Sequence, residues 1–274
     1  MPARTEEYRE LSTFAVEVVR TAGKLLLDHF GRVSGLSKGS CDLVTGADVA
    51  VEEFILKEIQ RHCPEDQIIA EESTGTGTSA IQEFCWVIDP LDGTVNFAME
   101  IPFFSVSLAL LHEGIPVLGW VYDPVRQELF QARRGAGCQV NGKRLVEPSD
   151  NSSPLPVGAS SGFLGRTAPA GPSSPLVLLM RRFGKVRILG SQALHLCYVA
   201  AGRLRGAISW ESRLWDDAAG ALIAQEAGAC YTDFGGEDVF PLRAGGRVLA
   251  GEPIHSIAAP PAVHREMLAL LASS

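Results

Sequence analysis

The chain carries no excess of positive charge: 24 lysines and arginines stand against 32 aspartates and glutamates, giving a formal net charge of -8 and a pI near 5.3. Holding a nucleic-acid backbone over a broad surface needs clustered basic residues, so nucleic acid is not expected as the main partner; a local basic pocket remains compatible with this balance. Cysteine is sparse and scattered. Cys41, Cys63, Cys85, Cys138, Cys197 and Cys230 include no C-x-x-C pair, and several lie in apolar runs, as free thiols in a reducing compartment would. No histidine pair has metal-binding spacing. No apolar run approaches the length of a bilayer span, and the opening residues "MPARTEEYRE" lack the charged-then-apolar profile of a signal peptide. Together with the lack of internal repeats or low-complexity tracts, these absences predict a soluble, cytoplasmic protein with no membrane partner.

What the sequence does have is core. With 274 residues, 46% of them hydrophobic, the chain can form one large domain or two closely packed halves. Leu11, Ala15, Val18, Ala22 and Leu25 recur at helical steps, predicting a helix over 6–30 that Gly31 stops. Val51, Ile55 and Ile59 predict a second helix over 48–62, with Pro64 beyond its end. Strand-like runs then crowd together: "QIIAE", "CWVID", "FFSVSLALL", "PVLGWVYD", "ELFQARR" and "CQVNGKRL", the last with Asn141-Gly142 as a hairpin signal. Residues 1–150 therefore read as helices followed by an antiparallel sheet.

From 147 to 174 the chain is rich in Pro, Ser and Gly, marking a boundary or a loop-dominated stretch. After it, residues 151–274 alternate. Strand "KVRIL", a helix over 191–201, strand "GAISW", a helix over 215–227, strands around Tyr231 and Val248, and a C-terminal helix make an α/β half. The two halves are expected to form one compact unit.

"GTGTSA" at 75–80 satisfies G-x-G-x-x-A after a strand, but it is not a dinucleotide site. Glu71 and Glu72 would repel a pyrophosphate, and too few residues follow for the crossover helix. It is read as a loop.

The informative acids lie in "CWVIDPLDGTVNF", where Asp89 and Asp92 bracket Pro90-Leu91 at the end of an apolar strand. Glu71 and Glu72 end the preceding strand, so the carboxylates can meet if both strands share a sheet. Like charges that close raise one another's pKa values unless a cation neutralises them, and hard oxygen donors suit Mg²⁺ or Mn²⁺. Gly93 and Thr94 open a short helical segment, whose first N–H groups point outward beside the acids and suit a phosphate.

"AEES" at 70–73, "WVIDPLDGTVNF" at 86–97 and "WDDAAGALIAQEAG" at 215–228 resemble three linked signatures of the inositol monophosphatase family, which shares a superfamily with fructose-1,6-bisphosphatases. "DLVTGADVAVE" at 42–52 and "GSQAL" at 190–194 match two more segments in order, so the resemblance spans nearly the whole chain. It implies an α/β fold of α+β type, a layered αβαβα sandwich, and a homodimer. It also implies two to three Mg²⁺ or Mn²⁺ ions per site, with lithium sensitivity. By this resemblance Glu71, Asp89 and the Leu91 carbonyl hold a first metal, and Asp89, Asp92 and Asp216 a second. Glu71 with waters holds a weaker third.

The same match sets Asp48, with Glu52 four residues on, near Thr94, where the pair would orient an attacking water; Thr45 belongs to a helix start. Asp216 would also suit a helix N-terminus without any metal, and Asp48 and Glu52 as a lone pair would suit a solvated helix face. Asn96 and Phe97 read as structural support and His195 as a helical histidine outside the chemistry. Ser191 takes the family's position beside phosphate or substrate, with Gly93 and Thr94.

The chain departs from the pattern at Ser209, where inositol-phosphate enzymes usually carry a glutamate that accepts bonds from ring hydroxyls. Strand alternation would point Glu211 to the same face as Ser209, as a replacement. The expected activity is metal-dependent hydrolysis of inositol monophosphate or a related small phosphate monoester by direct water attack. Histidinol phosphate, a sugar (bis)phosphate or a nucleotide 3'-phosphate are alternative substrates, and a non-catalytic metal-binding regulatory protein is the competing class.

Overall fold

The computed structural model describes residues 2–32, 46–73, 80–146, 155–160, 174–249 and 251–272, with side chains described from residue 7. Two helices open the chain, α1 (Pro2–His29) and α2 (Gly46–His62). Seven strands follow: β1 (Gln67–Ala70), β2 (Phe84–Asp92), β3 (Ser105–His112), β4 (Ile115–Asp123), β5 (Glu128–Arg133), β6 (Gly137–Val140) and β7 (Lys143–Arg144). A short helix, α3 (Thr94–Ala98), follows β2. These strands form one sheet in chain order, with β1 and β2 parallel and every later pair antiparallel.

The run Cys85-Trp86-Val87-Ile88 is apolar throughout because this sheet is covered on both faces. Trp86 and Ile88 pack under α1 and α2, while Cys85 and Val87 face the opposite layer. That layer is α5 (Gln192–Ala200) and α6 (Leu214–Glu226). Helix α6 is apolar nearly all round, as a helix between two sheets must be. It lies so close to β4 that a Cβ on Gly119 would stand 3.1 Å from the Ala219 carbonyl oxygen, so any larger residue there would press the two elements apart.

Beyond α5 and α6 lies a second sheet of β8 (Val157–Ala159), β9 (Val186–Arg187), β10 (Gly206–Ser212), β11 (Cys230–Asp233) and β12 (Ile254–Ala259), ordered β11-β12-β10-β8-β9. Its outer face is closed by α4 (Pro175–Phe183) and α7 (Pro261–Ala272), which pack with Ile208, Ile257 and Ala259. The stack is therefore α–β–α–β–α, as the resemblance implied.

Three elements of the later half differ from the sequence reading. β8 lies within the stretch expected to be loop; its three residues are held by parallel pairing to β10 and β9 on either side, a tertiary rather than a local cause. Helix α4 follows that stretch and escaped notice. Its start is signalled by Ser174 and Pro175 at the N-terminus. The strand expected around Val248 is a turn instead, and the pairing strand is β12, whose Ile257 and Ala259 face the core while alternating with Ala258 on the other side. Thr45 and most of "GTGTSA" lie outside the described residues. Among the described residues no helix is long and apolar enough to cross a membrane.

Candidate active site

Parallel pairing sets Ala70 opposite Ile88, so Glu71, just past β1, comes abreast of Asp89 and donates its amide to the Ile88 carbonyl at 3.2 Å. The Glu71 and Asp89 carboxyls are close enough for each to shift the other's proton affinity. At Pro90-Leu91 the register with β3 slips, and the extra length carries Asp92 to the same pocket as Asp89. Asp216, on the first turn of α6, completes the group: one carboxylate oxygen each from Asp89, Asp92 and Asp216 lie within 4.8 Å of one another. Asp216 also accepts the Arg213 amide at 2.7 Å, so its helix-terminus role and its place in the cluster are compatible.

Among the described residues no lysine or arginine forms an ion pair with any of these three aspartates. The consequence is electrostatic. Burial first, then Glu71, Asp92 and Asp216, hold the Asp89 carboxyl well above the usual carboxylate range. Asp216 is raised in the same way by burial, Asp92 and Glu71. Burial pushes Glu71 up to about 7 and Asp92 up to about 6. Buried hard oxygens with no counter-charge are the donor set that a divalent cation such as Mg²⁺ fits.

Asp92 is the best supported of the group. It accepts the Ser191 hydroxyl, the Gln192 amide at 3.1 Å and the Ala193 amide at 2.8 Å, so it rests on the N-terminus of α5. Ser191 is buried; besides donating to Asp92, its hydroxyl oxygen accepts the Leu194 amide at 3.3 Å as the helix cap. Thr94 Oγ1 lies 3.1 Å from the Leu91 carbonyl oxygen and 3.4 Å from Asp48 Oδ1. Asp48 and Glu52 are buried rather than on a solvated helix face, and Glu52 accepts the Glu72 amide at 2.9 Å.

Gly93 adopts φ +104°, and a Cβ there would meet the Gly190 and Phe103 carbonyl oxygens at 3.1 Å each. Only glycine lets the chain turn from β2 into α3 at this spot. Asn96 ties the turn down, its Nδ2 donating to the Phe103 and Leu189 carbonyls at 2.7 Å each, and Phe97 is buried; both are structural, as expected. His195 is buried on α5 and accepts the Leu189 amide at Nε2, clear of the acids.

Ser209 and Glu211 part company. A bulge between Ser209 and Ser212, with Glu211 at φ +71°, interrupts the expected alternation. Ser209 is buried opposite Ser256, whereas Glu211 is exposed, its amide donating to His255 Nδ1 at 3.1 Å. The same-face expectation fails because a bulge adds a residue and re-aims the side chains beyond it.

The sequence reading missed Ser105 and Asp217. Ser105 pairs with Asp92 across β2–β3 and lies 3.4 Å from Asp92 Oδ2; the Ser105-Val106-Ser107 alternation in an apolar strand was the available signal. Asp217 is wholly buried and accepts bonds from Gln192 Nε2 at 2.9 Å, the Ser212 hydroxyl at 2.7 Å and the Tyr231 hydroxyl at 2.7 Å. Its signal was the second acid of "WDD".

Five alternating layers with an acidic pocket at the end of β2 are the architecture that the resemblance implied for a class of phosphatases. The sequence profile of the inositol monophosphatase family matches residues 7–273, and the chain belongs to that family. Over 227 residues, 82% of this chain and 85% of the relative, it is 36% identical to the fructose-1,6-bisphosphatase/inositol-1-monophosphatase of Thermotoga maritima. Over 244 residues, 87% of this chain and 90% of the relative, it is 39% identical to Nus factor SuhB of Escherichia coli. Among solved structures, the Thermotoga maritima IMPase superposes with a TM-score of 0.80 at 32% identity, covering 96% of this chain and 97% of that one. The inositol monophosphatase of Anabaena superposes with a TM-score of 0.80 at 30% identity, covering 97% and 96%.

Proposed function

We propose that this chain is a Mg²⁺-dependent phosphate monoesterase, with Mn²⁺ as an alternative ion, that hydrolyses small phosphate esters by direct attack of water. The observation that carries the reading is the meeting of Asp89, Asp92 and Asp216 within 4.8 Å in a pocket where, among the described residues, none of them has an ion-pair partner. These three, with Glu71 and the Leu91 carbonyl, would hold two to three cations. When bound, the cations supply charge neutralisation of the phosphoryl oxygens and acidify water.

The chain's own residues do the rest. Thr94, bonded towards Asp48, orients the attacking water and accepts the direction of proton transfer set by that carboxylate. The first amides of the Gly93–Thr94 turn bind a phosphoryl oxygen. Ser191 acts through Asp92, whose orientation it fixes, rather than as a nucleophile, and no phosphoenzyme is formed. Ser209 and Glu211 form the substrate edge. With serine at 209 and Glu211 turned outward, a polyol ring lacks a buried carboxylate acceptor, each such bond being worth about 1.5 to 3 kcal/mol. Inositol 1-phosphate is therefore accepted without strong preference over histidinol phosphate, a sugar bisphosphate or a nucleotide 3'-phosphate. The working form is a homodimer, which light scattering at micromolar concentration checks.

The test is phosphate release from that panel. Chelation should abolish it, Mg²⁺ should restore it, and Asp89→Asn should lower kcat/KM by at least about a hundredfold, roughly 2.7 kcal/mol. Activity of Asp89→Asn within a few-fold of the unaltered protein would sink the site. A preference for inositol 1-phosphate above about a hundredfold would refute the weakened polyol edge. The 39% identity to a Nus factor favours a second reading, a regulatory role independent of catalysis. A folded, cation-binding protein that released no phosphate from any ester in the panel would favour it.

A further inference from the structure

Helix α1 covers an apolar sheet face through Leu118, Trp120 and Leu129, but this face changes character at its far edge. In β5, Gln131 and Arg133 follow Leu129 at alternate positions, so they continue the face that packs under α1, while Phe130 and Ala132 join the core beneath α5 and α6. Two polar residues thus stand where the pattern calls for apolar ones. They line a cavity of about 330 Å³ whose wall also includes Arg144 of β7 and Tyr8, Arg9 and Ser12 of α1.

Its strand geometry brings cations together. Arg133 is the cross-strand partner of Gly137, and the guanidinium of Arg144 lies over the same glycine, its Nη2 3.3 Å from where a Cβ would stand. Arg133 and Arg144 form no ion pair among the described residues, in a chain whose net charge of -8 offers acids in plenty. The nearby carboxylate of Glu226 is occupied: its two oxygens accept the Gly135 and Gly137 amides at 2.7 Å each. Gln131, in the wall, keeps a buried side-chain oxygen with no hydrogen-bond partner.

We propose that this cavity is a second anion site, separate from the acidic pocket, that binds a small phosphate-bearing molecule. Arg133 and Arg144 grip the phosphate oxygens, since a guanidinium presents paired donors that match an oxyanion. Tyr8 and Ser12 supply hydroxyls at the α1 side. The volume falls at the lower end of small-molecule pockets, which suits a ligand no larger than a phosphorylated sugar or a nucleotide.

Equilibrium dialysis of radiolabelled inorganic phosphate against the Mg²⁺-saturated full chain tests this, comparing the unaltered protein, Asp89→Asn and the double variant Arg133→Gln/Arg144→Gln. The expected result is a saturable binding event that survives Asp89→Asn and weakens at least tenfold in the double variant. Phosphate release by the double variant should match the unaltered protein, which also reports that it folds. Arg144→Glu, a charge reversal at an exposed position, provides an independent variant that should abolish the same event. Binding that disappears entirely with Asp89→Asn, or that is unchanged by the arginine substitutions, would overturn the proposal.

Discussion

Asp216 and Asp217 are neighbours at the start of α6, and their surroundings are opposite. Asp217 has a donor for each need: an amide from α5, a hydroxyl from β10 and a hydroxyl from β11. Asp216 receives one backbone amide and otherwise meets Asp92, Asp89 and Glu71. Both carboxyls are raised by burial, but the donors around Asp217 pull it back down whereas the acids around Asp216 push it further up. Burial of an acid is therefore not what marks a site. A shortage of donors, combined with other acids, is what leaves a vacancy of charge for a ligand to fill.

The largest effect should come from pH and cation together, acting on the acidic side of this contrast. Glu71 near 7 and Asp92 near 6 lie above their ordinary values of 4.5 and 3.8, as do Asp89 and Asp216, so the folded state binds more protons than the unfolded one between those limits. Stability of the chelated protein attributable to these groups is thus full below about pH 4 and is lost as pH rises through about 7. Saturating Mg²⁺ should restore about 3 to 5 kcal/mol at pH 7.5 and far less at pH 5, measured by chemical denaturation. An equal Mg²⁺ effect at both pH values would erase the distinction between the two aspartates.

On the satisfied side, Asp217→Asn keeps the volume but replaces an acceptor oxygen with a donor facing other donors. It should cost about 2 to 4 kcal/mol of stability, whereas Asp89→Asn in the chelated protein should cost nothing or stabilise it. Matching losses in calorimetry would mean the acidic cluster is as well supported as Asp217 is.

His195 offers the smallest and most separable change. Burial holds it down at about 4, against an ordinary 6.5, so the unfolded state takes up the proton first and stability is lost as pH falls through this window. At pH 5 the group should account for about 2 kcal/mol, and His195→Gln, which can still accept the Leu189 amide, should flatten the acid limb by that amount. An unchanged acid limb would show that the imidazole is not the group being titrated.

Much of this was legible in residues alone. Leu11 to Leu25 marked α1, the apolar run before Asp89 marked a buried strand, and the acids of "DPLDGT" and "WDD" named the pocket before any coordinate did. Local signals failed where pairing rather than pattern holds an element. β8 has three residues, too few for periodicity, and exists because strands on both sides bond to it. Glu211 failed for the same kind of reason, since a bulge in β10 is a property of its register with β12 and leaves no mark in the alternation of "GAISWES".

The sequence by itself determined most of the helices and strands and the motifs that carry the family resemblance, from which the layer order followed, because periodicity and the spacing of rare residue types are local and survive in one dimension. Tertiary structure alone decided three further matters. Asp92, not Asp89, rests on the α5 N-terminus, since that helix lies about a hundred residues away in the chain and approaches only through packing. Asp217 is satisfied while Asp216 is not, because donors come from three separate elements. Arg133 and Arg144 converge on Gly137, because cross-strand register sets side chains from different strands over one residue. Charge is written in the sequence, but the distance between charges, on which electrostatic energy depends, is set only when the sheets and helices close.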